Sequence, residues 1–380
     1  MDKENNSAAR ASIACAAIDP YIETNIIAPV EKKAGASDLI EWGTGNQYPQ
    51  FLKELFGNVT TLRTIICGDV DFVAGDRVTL GTVDPGKSTI TDGARMNRKG
   101  ASLRDQVKDL ARDLDLFGGF ALQVIRDREG RIAELYYVPM DFLRSDADNE
   151  VFYYSEKWAK RGPKSSLVYP KFTPVDWQTL DEEGRKRLAS TILYVKSNHD
   201  GTYPSPKFAA AVKACELERC IDDYHLNAIN NGFEASMVLN FNNGIPTDEM
   251  KEEIEEEVNE KFAGHQNAGR ILLSWNPEVK NQTTLTTPKV EDFGERYKAL
   301  AEHSRQQIFC AFRAVPSLFG LPTASGFSTE EYEQAFKLYN RTQVQPMQRL
   351  IVEAYERLLG PGCVVIKPFS LDGETEDNIS

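Results

Sequence analysis

Residues 81–88, GTVDPGKS, satisfy letter for letter the G-x-x-x-x-G-K-[ST] pattern of a phosphate-binding loop. In that chemistry backbone amides cradle the phosphates, Lys87 would neutralise them, and the Ser88 hydroxyl would reach a magnesium ion. The motif works only between a buried parallel strand and a helix whose unpaired amides face the anion. Here Arg77, Val78, Thr79 and Leu80 alternate like a half-exposed strand, and Thr89, Ile90, Thr91 and Gly93 start a helix poorly. No apolar strand downstream ends in an acid able to hold the metal. A β-hairpin turning at Asp84, Pro85 and Gly86 fits better; a P-loop NTPase stands as the alternative.

Other reactive residues are dispersed. Cys15, Cys67, Cys215, Cys220, Cys310 and Cys363 include no CxxC pair and no signal peptide precedes them, which reads as buried thiols in a reducing cytoplasm. Cys215, Cys220 and His225 recur five apart, whereas metal ligands sharing one helix face stand three or four apart, so core packing is expected there. His199, His225, His265 and His303 are scattered, no G-x-S-x-G elbow occurs, and no frame pairs two carboxylates. No catalytic residue, metal or cofactor is expected. The densest charge is acidic: Asp248, Glu249, Glu252, Glu253, Glu255, Glu256, Glu257 and Glu260 oppose only Lys251 and Lys261, a local net of −6. Such a run is a solvated face first and a docking surface second.

The elements that carry these residues follow from periodicity. Across 291–313 Phe293, Tyr297, Leu300, Ser304, Ile308 and Phe312 recur every three to four residues, one stripe of a helix that Pro316 ends. A loop with two prolines, two glycines and exposed-looking Phe319, Leu321 and Phe327 follows. Ser328 and Glu331 then form a capping box for a second long helix, kinked or restarted at Pro346. Upstream, residues 1–38 read as a flexible arm, and 39–198 as an α+β block with helices over 62–73 and 101–117, strands over 120–126 and 131–138, a hairpin at 143–157, a surface loop at 157–171 and a strand at 191–196. Residues 207–231 make a helix that is apolar on two sides, through Phe208, Val212, Cys215, Leu217, Ile221, Tyr224 and Leu226. Residues 234–287 form a βαβ unit with two roughly parallel strands, its helix burying Met250, Ile254, Val258 and Phe262. A short strand over 363–369 and an acidic tail close the chain.

At 380 residues, with 41% hydrophobic and 27% charged side chains, the composition is that of a soluble globular protein of two or three domains. No apolar run approaches the ~18 residues of a membrane span. A net charge of −13 excludes a protein built to grip nucleic acid. Long helices with apolar residues on more than one side would stay wet as monomers, so head-to-tail packing of identical subunits, through Phe293, Tyr297, Leu300, Ile308 and Phe312, is expected, and a ring results if the rotation closes. A ring-forming scaffold unconnected with viruses would satisfy the same argument.

AVPSLFG at 314–320, followed by SGFSTEEYEQAFKLYNRTQVQPMQRLIVEAYERLL at 325–359, resembles the C-terminal half of tailed-bacteriophage portal proteins. The likeness extends to 103–138, with its helix, glycine pair and strand-turn-strand, and to Glu41, Trp42 and Gly43 with Asn46, Gln47, Tyr48 and Pro49, so that it covers about 40–359. It implies a portal-like α+β fold: a wing over 39–205, stem helices over 206–232 and 289–314, a clip over 233–288, a tunnel loop over 315–328, a wing or crown helix over 329–360, and a short C-terminal strand and tail over 361–380, too little for a large crown. By the same resemblance Leu321, Thr323, Ala324, Ser325, Gly326 and Phe327 would line a DNA channel, and Glu249, Glu252, Glu253, Glu256, Glu257 and Glu260 would dock the terminase or an adaptor. The family's implied context is a dodecameric ring at one capsid vertex of the virion, assembled in the host bacterial cytoplasm. There it passes double-stranded DNA during packaging and ejection, and it meets the terminase large subunit, head-completion adaptor, major capsid and scaffolding proteins, with no membrane and no enzymatic role. Duplex DNA carries about one negative charge per 1.7 Å, so acidic or neutral walls would let it slide.

Overall fold

The computed structural model describes residues 29–34, 38–158, 166–198, 201–230, 237–241, 247, 250–251, 271–275, 284–286, 293–321 and 329–369. By contact density it divides into two units, one of residues 25–216 with 304–380, the other of 1–24 with 217–303.

The larger unit is organised around two buried helices and one central strand. Helices α1 (Tyr48–Asn58), α2 (Thr60–Ala74) and α3 (Leu103–Phe117) follow the expected periodicity. Ser102 caps α3: its hydroxyl accepts from the Asp105 amide at 3.1 Å, and the Asp105 carboxylate answers the Ser102 amide at 3.4 Å. Gly118, at φ +83°, ends α3; a Cβ there would lie 2.1 Å from the Ser205 carbonyl, so only glycine fits. Two strands pair in the N-terminal region, β1 (Glu31–Lys33) with β2 (Leu39–Trp42), so this part of the expected flexible arm is ordered by a ladder. Strand β3 (Arg77–Leu80) precedes α3. After it β4 (Gly119–Arg126) lies between β5 (Ile132–Val138) and β9 (Ser190–Lys196), antiparallel to both. Strands β6 (Leu143–Asp146) and β7 (Val151–Tyr154) make the expected hairpin, with Asn149 at φ +55° in its turn. β8 (Leu167–Pro170) pairs with β7 inside the segment expected to be a loop, with Phe152 and Tyr169 directly opposite each other. The resulting sheet runs β1-β2-β6-β7-β8. A short helix, α4 (Glu182–Leu188), leads into β9.

Two hydrophobic cores share this unit. One gathers Val107, Leu110 and Leu114 of α3, Phe120 and Leu122 of β4, and Ile351, Tyr355 and Leu358 from the C-terminal region. The second gathers Leu52, Leu62, Ile65 and Phe117 with Phe208, Cys215, Ile308 and Phe312. Helices α2 and α3 contribute to both, which is why acids on them are buried as well as leucines.

The remaining helices are α5 (Val212–Asn230), started by a 3₁₀ turn at Ala209–Ala211 and so shorter than the expected 207–231, α6 (Phe293–Phe312), α7 (Thr329–Tyr339) and α8 (Gln345–Leu359). Between α7 and α8 the chain makes a π-helical turn, Asn340–Val344, with Pro346 in the first turn after it. The kink expected at Pro346 is therefore an extra residue in the helix, not a break. In the smaller unit β10 (Met237–Phe241) pairs in parallel with β11 (Ile271–Trp275), as the βαβ pattern predicts. A third strand, β12 (Thr284–Thr286), antiparallel to β10, is additional. In the same unit Tyr224 and Tyr297 stack with centroids 4.7 Å apart, tying α5 to α6. No helix among the described residues is long and apolar enough to cross a membrane.

The C-terminal strand β13 (Val364–Lys367) pairs antiparallel with β3, register Val364 with Leu80 and Lys367 with Arg77. That pairing overturns the local hairpin expected around Asp84: the turn exists, with the Lys87 amide donating to the Asp84 carbonyl at 3.0 Å, but β3's partner lies far away in sequence.

Candidate functional site

The segment 322–328, the second half of the expected tunnel loop, lies outside the described residues, but both of its shoulders are fixed against one stretch of α2. On the near side Pro316–Phe319 forms a 3₁₀ turn closed by Gly320, and Phe319 lies over Gly68, where a Cβ would come within 2.7 Å of its ring. The same ring meets Phe72 edge-on at 6.0 Å, Phe309 at 6.1 Å and Tyr339 at 5.6 Å. On the far side α7 brings Phe336 to 5.5 Å from Phe72. Leu321, half-buried, packs against the second core. Tilted and edge-on rings at these distances favour one another beyond their buried area.

Charge is buried at the same place. The Tyr339 hydroxyl donates to Asp69 at 2.5 Å, and Lys207 pairs with Asp115 at 2.8 Å. Asp69 and Asp115 are almost wholly enclosed, at 1% and 0% exposure. Burial above all, and next the charge of Asp115, push the Asp69 carboxyl well above the usual carboxylate range, against the pull of Lys207 and the Tyr339 hydroxyl. Lys207 also lies 2.9 Å from the Met347 sulfur of α8, and Gln348 donates to the Val73 carbonyl of α2 at 3.0 Å. The π turn is thus tied down on both sides. Sequence reasoning passed over these four polar residues; the available signal was an acid inside each apolar run, Asp69 in IICGDVDF and Asp115 in LDLF.

The Trp42 and Asn46 motif has a structural role. Arg144, fully buried, donates to the Asn46 side chain and carbonyl and to the carbonyls of Asp141 at 3.0 Å and Leu143 at 2.8 Å. Its guanidinium lies over the rings of Trp42 and Trp158, and burial lowers its pKa to about 10. Trp42 stacks in turn on Tyr203, centroids 4.5 Å apart.

The phosphate-loop reading fails on geometry. Turn residues at 85–87 are followed by no helix. The amides that would cradle an anion are already donated: Gly81 to Cys363, Thr82 to Gly362, Asp84 to Leu359, and Lys87 and Ser88 to Asp84, while Gly86 donates to the Asp84 carboxylate. Ser88 is buried with its hydroxyl on the Ile132 carbonyl at 2.7 Å, turned away from any metal.

The residues expected to pack subunits divide. Ile308 and Phe312 are 0% and 1% exposed inside the chain's own core, Phe312 stacked on Phe208, so they are not available to a neighbour. Leu300 is 42% exposed and Tyr297 half-buried. The side chain of Phe293, Thr323, Ala324, Ser325, Gly326 and Phe327, and Glu249, Glu252, Glu253, Glu256, Glu257 and Glu260 lie outside the described residues, as does the Ser328 cap. Met250, expected in the buried stripe, is exposed. Cys215 is in the second core, as its spacing predicts.

A model of the phage portal protein family matches residues 99–373. A chain from the neck of a native gene transfer agent (GTA) particle computed with C12 symmetry superposes with a TM-score of 0.52 at 17% identity, over 92% of this chain and 88% of that one. A chain from the virion of a native gene transfer agent particle gives 0.53, also at 17% identity, over 86% and 84%. An uncharacterised protein of Rickettsia felis (strain ATCC VR-1525 / URRWXCal2) is 26% identical over 165 residues, 42% of this chain; the match spans 41% of that relative's length. With a family match running from the start of α3 through β13, and with the mixed helix and sheet fold of portal structures around it, this chain belongs to the phage portal protein family.

Proposed function

We propose that this portal protein assembles as a closed ring at one vertex of a phage-like particle, through which double-stranded DNA enters during packaging and leaves at ejection. The family match over most of the chain carries this reading, and likeness across 92% of the chain to a chain from a particle neck computed with C12 symmetry supports the ring, with the dodecamer as its expected size. In this reading 39–205 with 329–360 form the wing, α5 and α6 the stem, and the acidic 233–288 region the clip that meets the terminase large subunit and, later, a head-completion adaptor. The segment 315–328 is the tunnel loop, held at both shoulders by α2. The net charge of −13 suits a conduit, because a basic wall would hold DNA through released counterions and slow it.

Negative-stain imaging of the purified full chain tests the ring: annular particles with a central hole are expected, and a uniform monomer at high concentration would refute it. Removing 323–326 from an assembled system should leave rings intact but impair packaging or genome retention; normal packaging and retention would remove the loop's role.

A further inference from the structure

Acids are spread along almost the whole chain, and one stretch lacks them. Residues 303–329 contain no aspartate or glutamate, although 57 acids in 380 residues would place about four in a stretch of that length. The stretch covers the second half of α6, the shoulder turn and the segment 315–328. Burial does not explain it, because Arg305, Gln306, Gln307, Cys310 and Arg313 are all exposed and none is acidic. With His303 neutral the only charges in it are Arg305 and Arg313, a local net of +2 in a chain of −13.

Arg313 is also held in a conformation that its side chain disfavours. After α6 ends at Phe312, the Arg313 amide donates to the Cys310 carbonyl at 3.0 Å and the Ala314 amide to the Phe309 carbonyl at 2.9 Å, the pair of bonds that closes a helix through a left-handed residue. Arg313 is that residue, at φ +53°. Glycine takes this conformation without a penalty, whereas a Cβ crowds the following carbonyl. Ala314 and Val315 pack against the first core directly after it, so the backbone is fixed there. Backbone strain of this kind persists where the surrounding structure imposes it, and it gathers at functional positions. Neither Arg305 nor Arg313 finds an ion-pair, hydrogen-bond or ring partner for its guanidinium among the described residues. An exposed guanidinium offers a planar fork that matches phosphate oxygens two at a time.

We propose that Arg305 and Arg313 are residues through which each subunit touches the phosphate backbone of duplex DNA, the acid-free 303–329 stretch forming one narrow positive band in an otherwise acidic conduit. The inference rests on the channel reading above. A narrow band releases few counterions, so it steadies the duplex without gripping it along its length.

Assembled rings of the full chain and a labelled short linear duplex test this by fluorescence anisotropy over a salt series. Closed circular duplex, which cannot thread a closed ring, serves as competitor and reports binding to outer surfaces. Wild-type rings should prefer the linear duplex, the logarithm of the association constant falling against the logarithm of salt by about 0.9 per phosphate contacted. Arg305→Gln combined with Arg313→Gly should weaken that binding by about tenfold or more at low salt and make the slope shallower by about 0.9 or more. Arg305→Lys combined with Arg313→Lys should keep the slope. Arg313→Gly alone should keep or raise the urea midpoint, because glycine relieves the left-handed strain. Gln/Gly rings with wild-type affinity and slope overturn the contact and leave the channel standing, and so do wild-type rings that do not prefer the linear duplex. Loss of rings in the Gln/Gly variant, or a lowered midpoint in Arg313→Gly, overturns it in favour of a contact between copies or within the subunit. A wild-type chain that forms no ring refutes the channel, and the contact with it.

Discussion

Single side chains in this protein carry consequences that their residue type alone would not suggest. Arg144 is a buried cation whose nearest partners are carbonyls and amides, so truncating it strands several acceptors. Arg144→Ala should lower stability by about 3 kcal/mol or more, and Arg144→Lys should recover less than half of that because the planar fork is lost; urea unfolding monitored by Trp fluorescence measures both. Asp113 accepts from the Tyr137 hydroxyl at 2.9 Å and the Met140 amide at 3.2 Å, and burial pushes its carboxyl up to about 8 in spite of Arg112. The native state therefore keeps a proton that an unfolded aspartate gives up near pH ~4, and stability falls as pH rises from about 4 towards 8. Asp113→Asn should flatten that decline in urea midpoints taken at pH 5 and pH 8. At Gly68 the constraint is steric: Gly68→Ala must displace Phe319, which should cost about 1–3 kcal/mol in the same assay.

At the scale of elements, helices were the most legible and strand partners the least. The stripe Leu103, Val107, Leu110, Leu114 predicts α3 closely, and Ser102 with Asp105 supplies a cap whose loss in Ser102→Ala should cost about 1 kcal/mol. The α7 and α8 pair was legible as one long helix interrupted near Pro346, but the interruption is the π turn. Deleting Thr342 should remove the extra residue and convert that turn to α-helix with α7 and α8 still in phase, so Ile351, Ala354, Tyr355 and Leu358 should stay in the core and thermal unfolding should stay cooperative, whereas inserting one alanine into α8 after Gln348 should turn them by about 100° and abolish it. The strands erred for a physical reason: alternation states that Arg77–Leu80 is half-buried, but nothing local states that Val364–Lys367, hundreds of residues away, completes it. Likewise Leu167–Pro170 reads as loop until Val151–Tyr154 is beside it.

For the whole molecule, the apolar residues of α6 divide between the chain's own core, which encloses Ile308 and Phe312, and exposed positions such as Leu300. Ile308→Ala should destabilise the folded subunit by about 2–5 kcal/mol, because the side chain is wholly enclosed. Leu300→Asp, by contrast, should leave subunit unfolding within about 0.5 kcal/mol of wild type while shifting assemblies towards monomer in sedimentation velocity. If both variants lower the unfolding midpoint equally, Leu300 belongs to the core and not to an interface.

The sequence by itself determined the mixed helix and sheet class, the positions of the main helices and the family resemblance, because apolar periodicity, caps and punctuating glycines and prolines are local properties written into neighbouring residues. Tertiary structure alone decided that the GTVDPGKS loop spends its amides on the C-terminal turn, that Ile308 and Phe312 belong to an internal core, and that Asp69, Asp115, Lys207 and Tyr339 meet at one buried point. Each of these depends on which distant segment comes to lie alongside, and burial converts that neighbourhood into energies of hydrogen bonding, packing and protonation that no short window of residues contains.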